Sequence, residues 1–276
     1  MKVVLQACSA RHPAATAGAA SALRAINLAV ASGEQLAVIG PSGAGKTTLL
    51  QVMACALRPA HGTVQLGEAN PWELGGRALQ GMRKRLFLAP QVPPLPPRQR
   101  VVTAVLAGRL PDMGFWQSLQ SLVYPKDMDL ADTALAQFDL ADKLFERVDR
   151  LSGGERQRVG LARLVASSAK LLLVDEPLSA LDPERARQAL KSLTRTAQQR
   201  GATLVATLHH VEMALSHFGR IVGLREGELV FDLPASQVTP AHLQELYASQ
   251  LQELTGSAPE ARFAPAEAAP VAMHCR

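Results

Sequence analysis

The sequence predicts an α/β protein whose parallel β-sheet is covered by helices on both faces. Short, nearly continuous apolar runs recur along the chain, and the clearest are EQLAVIG (residues 34–40), KLLLVDEP (170–177) and ATLVATL (202–208). Runs of this length without alternation are typical of strands that are buried on both faces. Amphipathic helical segments lie between them, ERQRVGLARLVASS (155–168) and PERARQALKSLTRTAQQR (183–200). Strands that alternate with helices indicate parallel crossover connections.

The remaining segments complete the predicted order of elements. In chain order they are strands at residues 3–7 and 22–30, a helix that begins within 40–57, strands at 62–66 and 85–91, an irregular helical stretch at 92–150, a hairpin at 220–233 and a helix at 239–254. The final 22 residues contain seven Ala and three Pro with little periodicity. Such a composition predicts a disordered tail at residues 255–276.

The composition argues against several classes of protein. Aromatic residues make up only 4% of the chain, which does not favour stacking on nucleic-acid bases. The net charge of +5 suits an acidic ligand, a membrane surface or nucleic acid, and does not separate them. Cys8, Cys55 and Cys275 have no C-x-x-C spacing, which argues against a disulfide framework or a zinc site and fits a reducing cytoplasm. No run approaches the roughly 20 apolar residues of a membrane-spanning helix.

The first motif that indicates chemistry is GPSGAGKT, residues 40–47. It matches the phosphate-binding pattern G-x-x-x-x-G-K-[ST], follows a predicted strand and opens a predicted helix, which is the context that the pattern requires. Backbone amides and the helix N-terminus would bind a phosphate chain. We expect Lys46 to reach the β- and γ-phosphates and the Thr47 hydroxyl to bind Mg²⁺. The predicted nucleotide-binding residues here are Gly40, Pro41, Ser42, Gly43, Ala44, Gly45, Lys46, Thr47 and Thr48.

The second motif, LLLVDEP (residues 171–177), is a buried apolar strand that ends in two carboxylates. Asp175 is predicted to hold Mg²⁺, and Glu176 to polarise an attacking water molecule as a general base. An acidic strand end facing solvent is the alternative interpretation, and the phosphate-binding loop upstream argues against it. Together the two motifs predict binding and hydrolysis of a nucleoside triphosphate without choosing among families.

The third motif, LSGGERQR (residues 151–158), makes that choice. Ser152, Gly153 and Gly154 open a helix, so their amides and the serine hydroxyl are expected to form an anion site. With this motif, Gln91, SALD (179–182) and TLHH (207–210), the chain resembles the ATP-binding-cassette ATPases over residues 1 to about 250. The resemblance implies a P-loop NTPase core of the RecA-like type with a parallel sheet, an N-terminal antiparallel β subdomain and an inserted α-helical subdomain.

The resemblance also implies how the motifs work together. In this family two copies pack head to tail, and each ATP lies between the phosphate-binding loop of one copy and the LSGGE segment of the other. Asp182 would lie along the seam between the copies, Gln91 would approach Mg²⁺ and the attacking water, and His209, rather than His210, would contact a phosphate oxygen. The implied catalytic residues are therefore Glu176, His209 and Gln91. The implied Mg²⁺ ligands are Thr47, Gln91 and Asp175.

A single cassette over residues 1–254 is the predicted domain organisation. The predicted parts are a nucleotide-binding core with the β subdomain at 1–91 and 150–236, a helical subdomain at 92–149 and a C-terminal helix at 237–254. The family usually stacks an aromatic residue on adenine near the N-terminus, and His12 in SARHPA (9–14) is the nearest candidate here. The proline-rich segment VPPLPPRQR (92–100) predicts a stiff, extended, polyproline-like stretch after Gln91.

Without a membrane-spanning segment, a transporter of this family must dock on separate integral membrane permease subunits. The resemblance then places the chain at the cytoplasmic face of the inner membrane, with a periplasmic or extracellular solute-binding protein as an indirect partner and no nucleic acid. Three segments resemble the phosphonate-importer ATPases more closely: VLAGRLPDMGFWQSL (105–119), ADTALAQFDLADKLFERVDRLSGGERQR (131–158) and TLHHVEMALSHFGRIVGLREGELVFDLP (207–234). An importer of another solute, an exporter or lipoprotein-releasing ATPase, and a cassette ATPase that acts on nucleic acid are the alternatives.

Overall fold

The computed structural model describes residues 1–12, 21–123 and 127–248. The predicted tail at 255–276 and the end of the last predicted helix lie outside these residues. Among the residues described, no helix combines the length and apolarity that crossing a bilayer requires.

Two sheets organise the described part of the chain. The strands are β1 (Val3–Ala10), β2 (Leu23–Val30), β3 (Gln35–Ile39), β4 (His61–Leu66), β5 (Leu86–Ala89), β6 (Leu171–Asp175), β7 (Thr203–Leu208), β8 (Arg220–Arg225) and β9 (Glu228–Pro234). A three-stranded antiparallel sheet has the order β2-β1-β4, and a six-stranded sheet has the order β5-β6-β7-β3-β8-β9. In the larger sheet the first five strands are parallel, and β9 pairs antiparallel with β8. The predicted fold class is confirmed.

Helices occupy the intervals between the strands. They are α1 (Lys46–Met53), α2 (Gly76–Arg83), α3 (Val101–Leu106), α4 (Phe115–Val123), α5 (Met128–Ala136), α6 (Gly153–Ala166), α7 (Pro183–Gln199), α8 (Val211–His217) and α9 (Pro240–Leu246). The sequence did not predict α2, which has only eight residues and packs only the partly buried Leu79 and Met82 against the core. Nor did it predict α8, which has only seven residues. Of the last predicted helix, residues 239–254, α9 covers Pro240–Leu246, and residues from 249 onward lie outside the described part of the chain.

The large sheet separates two hydrophobic cores. Side chains of β6 alternate between them, with Leu172 and Val174 on the side of α6 and α7 and with Leu171 and Leu173 on the side of α1 and the small sheet. Successive side chains of a strand point to opposite faces, so burial on both faces explains why the strand residues of this sheet read as unbroken apolar runs. The polar ends of the central strands are therefore the places where functional side chains can emerge.

Helices α3, α4 and α5 form the insertion between β5 and α6. Gly108, in the turn after α3, lies so close to α6 that an added Cβ would be 2.3 Å from the carbonyl oxygen of Arg163. On the other flank of the insertion, the guanidinium of Arg158 donates to the Phe138 carbonyl at 2.6 Å, which fastens α6 to the end of α5. The helix that carries the LSGGE segment is thus held to the insertion at two positions, Arg158 and Arg163.

The proline-rich segment differs from the prediction. It contains turns rather than a continuous polyproline helix, because Leu95 N–H donates to the Pro93 carbonyl at 2.8 Å and Gln99 N–H donates to the Pro96 carbonyl at 3.1 Å. A polyproline helix has no internal hydrogen bonds. Proline presets the φ angle that many turns require, so the same composition is compatible with both conformations. Packing of Pro93 against Gly160 of α6 favours the turned one.

Candidate functional site

The phosphate-binding loop, the Asp175–Glu176 pair and His209 lie at the carboxyl ends of β3, β6 and β7. These three strands are parallel neighbours, and their register pairs Ile39 with Leu208 and Asp175 with Thr207. The loops that follow them must therefore leave the sheet at one edge. In open α/β sheets this edge is where ligands bind.

The backbone of the phosphate-binding loop favours glycine at Gly40, Gly43 and Gly45, whose φ angles are all positive, and at two of them the surroundings also exclude a side chain. Gly40 has a φ of 153°, and an added Cβ would lie 1.9 Å from the Leu224 carbonyl oxygen. Gly45, the residue before α1, has a φ of 103°, and an added Cβ would lie 2.4 Å from the Ala22 carbonyl oxygen. Gly43, by contrast, has open space where its Cβ would be. The loop is thus packed against the protein at both ends and open at its middle.

Lys46 is folded back onto this loop. Its side chain is only 4% exposed, and its ammonium donates to the carbonyl oxygens of Gly40 at 2.8 Å and Pro41 at 3.0 Å. Burial lowers the pKa of the ammonium, while the carboxylates of Glu176 and Asp175 oppose that shift. Carbonyl oxygens are weaker partners for a cation than phosphate oxygens. The lysine is therefore placed to exchange them for a phosphate.

Asp175 ends β6 between two threonine hydroxyls. Thr47 donates to Asp175 Oδ2 at 2.8 Å, and Thr207 donates to Oδ1 at 2.7 Å. A hydroxyl oxygen and a carboxylate are the hard oxygen ligands that Mg²⁺ prefers, usually in company with water and substrate phosphates. Among the residues described, no group of three or more His, Cys, Asp or Glu could hold a metal. The donor set thus fits Mg²⁺ held jointly by Thr47, Asp175 and a bound phosphate.

Glu176 carries the carboxylate at the centre of the site. Its Oε2 accepts a hydrogen bond from Gln91 Nε2 at 2.8 Å. Its Oε1 lies 2.5 Å from His209 Nε2 and 3.9 Å from Lys46 Nζ. Gln91 and His209 are separated by over 100 residues and come from different strands, yet both reach this one carboxylate. His210 is instead the residue that precedes α8.

The LSGGE segment begins α6 with a capping box. Ser152 Oγ accepts from Glu155 N–H at 3.2 Å, and Glu155 Oε2 accepts from Ser152 N–H at 2.8 Å. The contact to Ser152 N–H also lowers the pKa of the Glu155 carboxyl. Helix geometry leaves the amides of Gly153 and Gly154, in the same turn, without an intrahelical acceptor. These two amides and the serine O–H are the donors that the helix start can offer to an anion.

The two glycines of the segment differ in their surroundings. Gly153 has open space beside it, whereas a Cβ on Gly154 would lie 2.8 Å from the Ala180 carbonyl oxygen. Within one chain, Gly154 allows α6 to lie close to the SALD turn, residues 179–182.

Asp182 has a structural role within the chain. It precedes α7, and its Oδ1 accepts a hydrogen bond from Arg185 N–H at 3.0 Å. That backbone hydrogen bond lowers the pKa of its carboxyl. Its predicted place near the nucleotide stays a prediction. The same holds for His12, an exposed residue after β1 whose chain neighbours at 13–20 lie outside the described residues.

Thr207 is the residue of the site that the sequence analysis did not single out. It is fully buried near the end of β7, and besides its bond to Asp175 its oxygen accepts from Glu176 N–H at 2.9 Å. The signal was a hydroxyl within the apolar run ATLVATL. It could not be interpreted without knowing which strand lies beside β7.

Comparisons with known proteins extend this description. Residues 23–179, more than half of the chain, match the family model described as ABC transporter. The phosphonates import ATP-binding protein PhnC 2 of Albidiferax ferrireducens is 66% identical, and PhnC of a Polaromonas strain is 67% identical, each over 100% of both chains.

The fold is shared with solved structures at lower identity. A dimeric structure of a post-hydrolysis state of the ATP-binding cassette MJ0796, bound to ADP and Pi, has a TM-score of 0.70 at 24% identity, and the alignment covers 84% of this chain and 98% of that one. The structure of cbiO1 from Clostridium perfringens has a TM-score of 0.70 at 20% identity, with coverage of 91% and 96%.

Proposed function

The chain belongs to the ABC transporter family, and from that premise we propose that it is the ATP-binding and ATP-hydrolysing subunit of an importer whose solute is a phosphonate. It would act at the cytoplasmic face of the cell membrane, docked on separate permease subunits. The observation that carries the ATPase part is the convergence of Gln91, His209 and Lys46 on the Glu176 carboxylate.

Binding of ATP would begin at the phosphate loop. The amides at the start of α1 face the phosphates, and Lys46 exchanges the carbonyl oxygens of Gly40 and Pro41 for phosphate oxygens. Thr47 and Asp175, with Gln91 approaching, would hold Mg²⁺, which neutralises phosphate charge when bound. Movement of Lys46 toward the nucleotide weakens its contact with Glu176 and leaves that carboxylate free to act as an acceptor.

Hydrolysis would then proceed with Glu176 as the general base. Water attacks the γ-phosphorus, its proton passes to a Glu176 oxygen, and the bond between the γ-phosphorus and the bridging oxygen breaks to leave ADP and phosphate. Gln91 orients the carboxylate, and His209 donates to a γ-phosphate oxygen. Charge that develops on the phosphate is stabilised by donors already in place. In most such reactions this stabilisation is the largest contribution to the rate enhancement.

The second copy of the chain would supply the LSGGE segment to each nucleotide. Ser152, Gly153 and Gly154 present unpaired donors at the start of α6, and Gly153 leaves room for a ligand. Asp182, besides capping α7, would lie along the seam between the copies. His12 would face the adenine.

The permease is the proposed partner of the helical insertion. Large apolar side chains are exposed there, including Phe115 at 76% and Trp116 at 77%, whose rings contact each other edge to face. Exposed apolar patches of this kind mark interaction surfaces. The phosphonate assignment rests on the names and full-length identity of the two relatives.

Reconstitution tests the whole proposal. The chain, a phosphonate permease and its solute-binding protein are placed in vesicles, and ATP hydrolysis is measured. Addition of binding protein loaded with a phosphonate is expected to stimulate hydrolysis, whereas binding protein offered phosphate or sulfate is not. Stimulation by another solute alone would overturn the phosphonate assignment and leave the ATPase assignment standing.

A further inference from the structure

We propose that Thr207 is a positioning residue for ATP hydrolysis, whose single hydroxyl holds both the carboxylate that faces Mg²⁺ and the backbone of the general base. This inference rests on the proposed ATPase function. Thr207 touches neither the nucleotide nor the attacking water in this arrangement. It acts through its two neighbours, Asp175 and Glu176.

The Thr207 hydroxyl is both a hydrogen-bond donor and a hydrogen-bond acceptor. Its proton is donated to Asp175 Oδ1 at 2.7 Å, and its oxygen accepts the Glu176 amide at 2.9 Å. Because a hydroxyl has one proton and two lone pairs, Thr207 can make both bonds at once. The residue is 0% exposed, so water cannot replace either bond.

Strand register explains why the hydroxyl reaches both groups. In the parallel pair of β6 and β7, Thr207 lies opposite Asp175. Glu176 is the first residue beyond β6, so its amide is the next donor along that edge. A valine at position 207 would suit the buried strand equally well, because valine and threonine have similar shape and β propensity. The hydroxyl is therefore the feature that requires an explanation.

The bond from Glu176 N–H to Thr207 Oγ1 also bears on the backbone conformation of Glu176. Its φ of 46° lies in the left-handed region, which a residue with a side chain rarely adopts. The Thr207 bond holds the amide in this conformation. The conformation in turn directs the Glu176 carboxylate toward Gln91 and His209.

Both carboxylate oxygens of Asp175 are held by threonine hydroxyls, Oδ2 by Thr47 and Oδ1 by Thr207. Thr47 contacts Oδ2, and its hydroxyl is also the predicted Mg²⁺ ligand. If Thr47 turned to the metal, only Thr207 would keep the carboxylate from rotating about its side-chain bond. Thr207 thus preserves the orientation of Asp175 at the moment when Mg²⁺ binds.

The test compares Thr207→Val with Thr207→Ser, which keeps the hydroxyl. Thr203→Val is the matched control, because Thr203 is equally buried in the same strand but bonds to Met1 and Gly33 at its opposite end. Steady-state ATP hydrolysis is measured with the permease complex. ATP affinity is measured by titration calorimetry with Mg²⁺ and with EDTA, in a Glu176→Gln background that prevents turnover.

Thr207→Val is expected to lower kcat roughly 10- to 100-fold, as for a buried group that loses its hydrogen-bond partner. It should also reduce the gain in ATP affinity that Mg²⁺ produces, while affinity in EDTA stays unchanged. Thr207→Ser should restore both quantities, and Thr203→Val should alter neither. If Thr207→Val does not fold by circular dichroism, Thr207→Ala and Thr203→Ala replace the pair.

Two results would overturn the inference: a Thr207→Val protein indistinguishable from Thr203→Val in kcat and Mg²⁺ dependence, or a Thr207→Ser protein as impaired as Thr207→Val. Failure of the proposed function looks different, because the unchanged protein would then hydrolyse no ATP in its complex. In that case the calorimetric comparison of ATP affinity with Mg²⁺ and with EDTA still shows whether Thr207 orients Asp175 for Mg²⁺.

Discussion

At the scale of single residues, Glu176 is the most constrained group in the site. Three side chains that donate hydrogen bonds or carry positive charge, those of Gln91, His209 and Lys46, face its carboxylate. In the proposed mechanism these contacts hold the carboxylate until Lys46 moves to the nucleotide.

Glu176→Gln is expected to retain ATP binding and to lower kcat by at least about 100-fold, because an amide cannot accept the proton of the attacking water. The measurement is ATP turnover by the permease complex, with nucleotide binding measured in parallel. Glu68→Gln is the control, since Glu68 is an exposed residue in the turn after β4. Turnover of the Glu176 variant near the rate of this control would show that another group is the base.

At the scale of elements, the turned segment after Gln91 lies directly on α6. A Cβ on Gly160 would lie 2.6 Å from Pro93 Cγ and 2.8 Å from Pro93 Cβ, and the proline ring cannot swing aside as a flexible side chain would. Further along, Asp149 N–H donates to the Pro97 carbonyl at 2.9 Å. The segment therefore joins the Glu176 partner Gln91 to both the body of α6 and the turn that precedes its LSGGE start.

Gly160→Ala tests this contact. Adding a methyl group at a buried, well-packed position lowers the free energy of unfolding by about 1–3 kcal/mol. Replacing Gly by Ala within a helix raises it by about 1 kcal/mol. We expect a net decrease of about 1 kcal/mol in the free energy of unfolding, measured with urea, together with weaker stimulation of ATP hydrolysis by loaded binding protein.

Gly81→Ala is the matched control, because Gly81 lies inside α2 with nothing within 4 Å of the added methyl group. That variant should raise the free energy of unfolding and leave stimulation unchanged. Equal stabilisation by both substitutions would contradict the close packing of Pro93 on α6.

At the scale of the whole molecule, the phosphate loop and the LSGGE start belong to different parts of one chain. The phosphate loop and Glu176 lie at the carboxyl edge of the larger sheet, whereas Ser152 begins α6, which Arg158 fastens to the end of α5. Helix geometry leaves the amides of Gly153 and Gly154 without an intrahelical acceptor. In the head-to-tail pair of chains that we propose, these donors would reach the nucleotide bound by the other copy.

Ser152→Arg, placed in the Glu176→Gln background, is expected to abolish the ATP-dependent dimer while nucleotide binding by the single chain persists. The arginine side chain would occupy the space that a γ-phosphate needs. Size-exclusion chromatography with light scattering, with and without ATP, measures the effect. Ser168→Arg is the control, because this exposed serine lies beyond the opposite end of the same helix. A stable ATP-dependent dimer of the Ser152 variant would refute the sandwich arrangement.

The sequence by itself determined the fold class and the family, because both depend on short segments. Each motif, such as GPSGAGKT or LLLVDEP, spans fewer than ten residues, and its conformation follows from glycine positions and an adjoining buried strand. Alternation of apolar runs with helices then restricts the sheet to parallel connections. The helices α2 and α8 were missed because neither has enough turns to display a helical period.

The tertiary structure alone decided the contacts between distant segments. The bonds of Thr207 depend on the register of β7 against β6, and the packing of Pro93 on Gly160 depends on where α6 crosses the chain after β5. A proline-rich stretch is compatible with both turns and an extended helix, so its composition could not choose between them. Local propensity acts over a few residues, whereas these choices are made by packing between residues 31 or more positions apart.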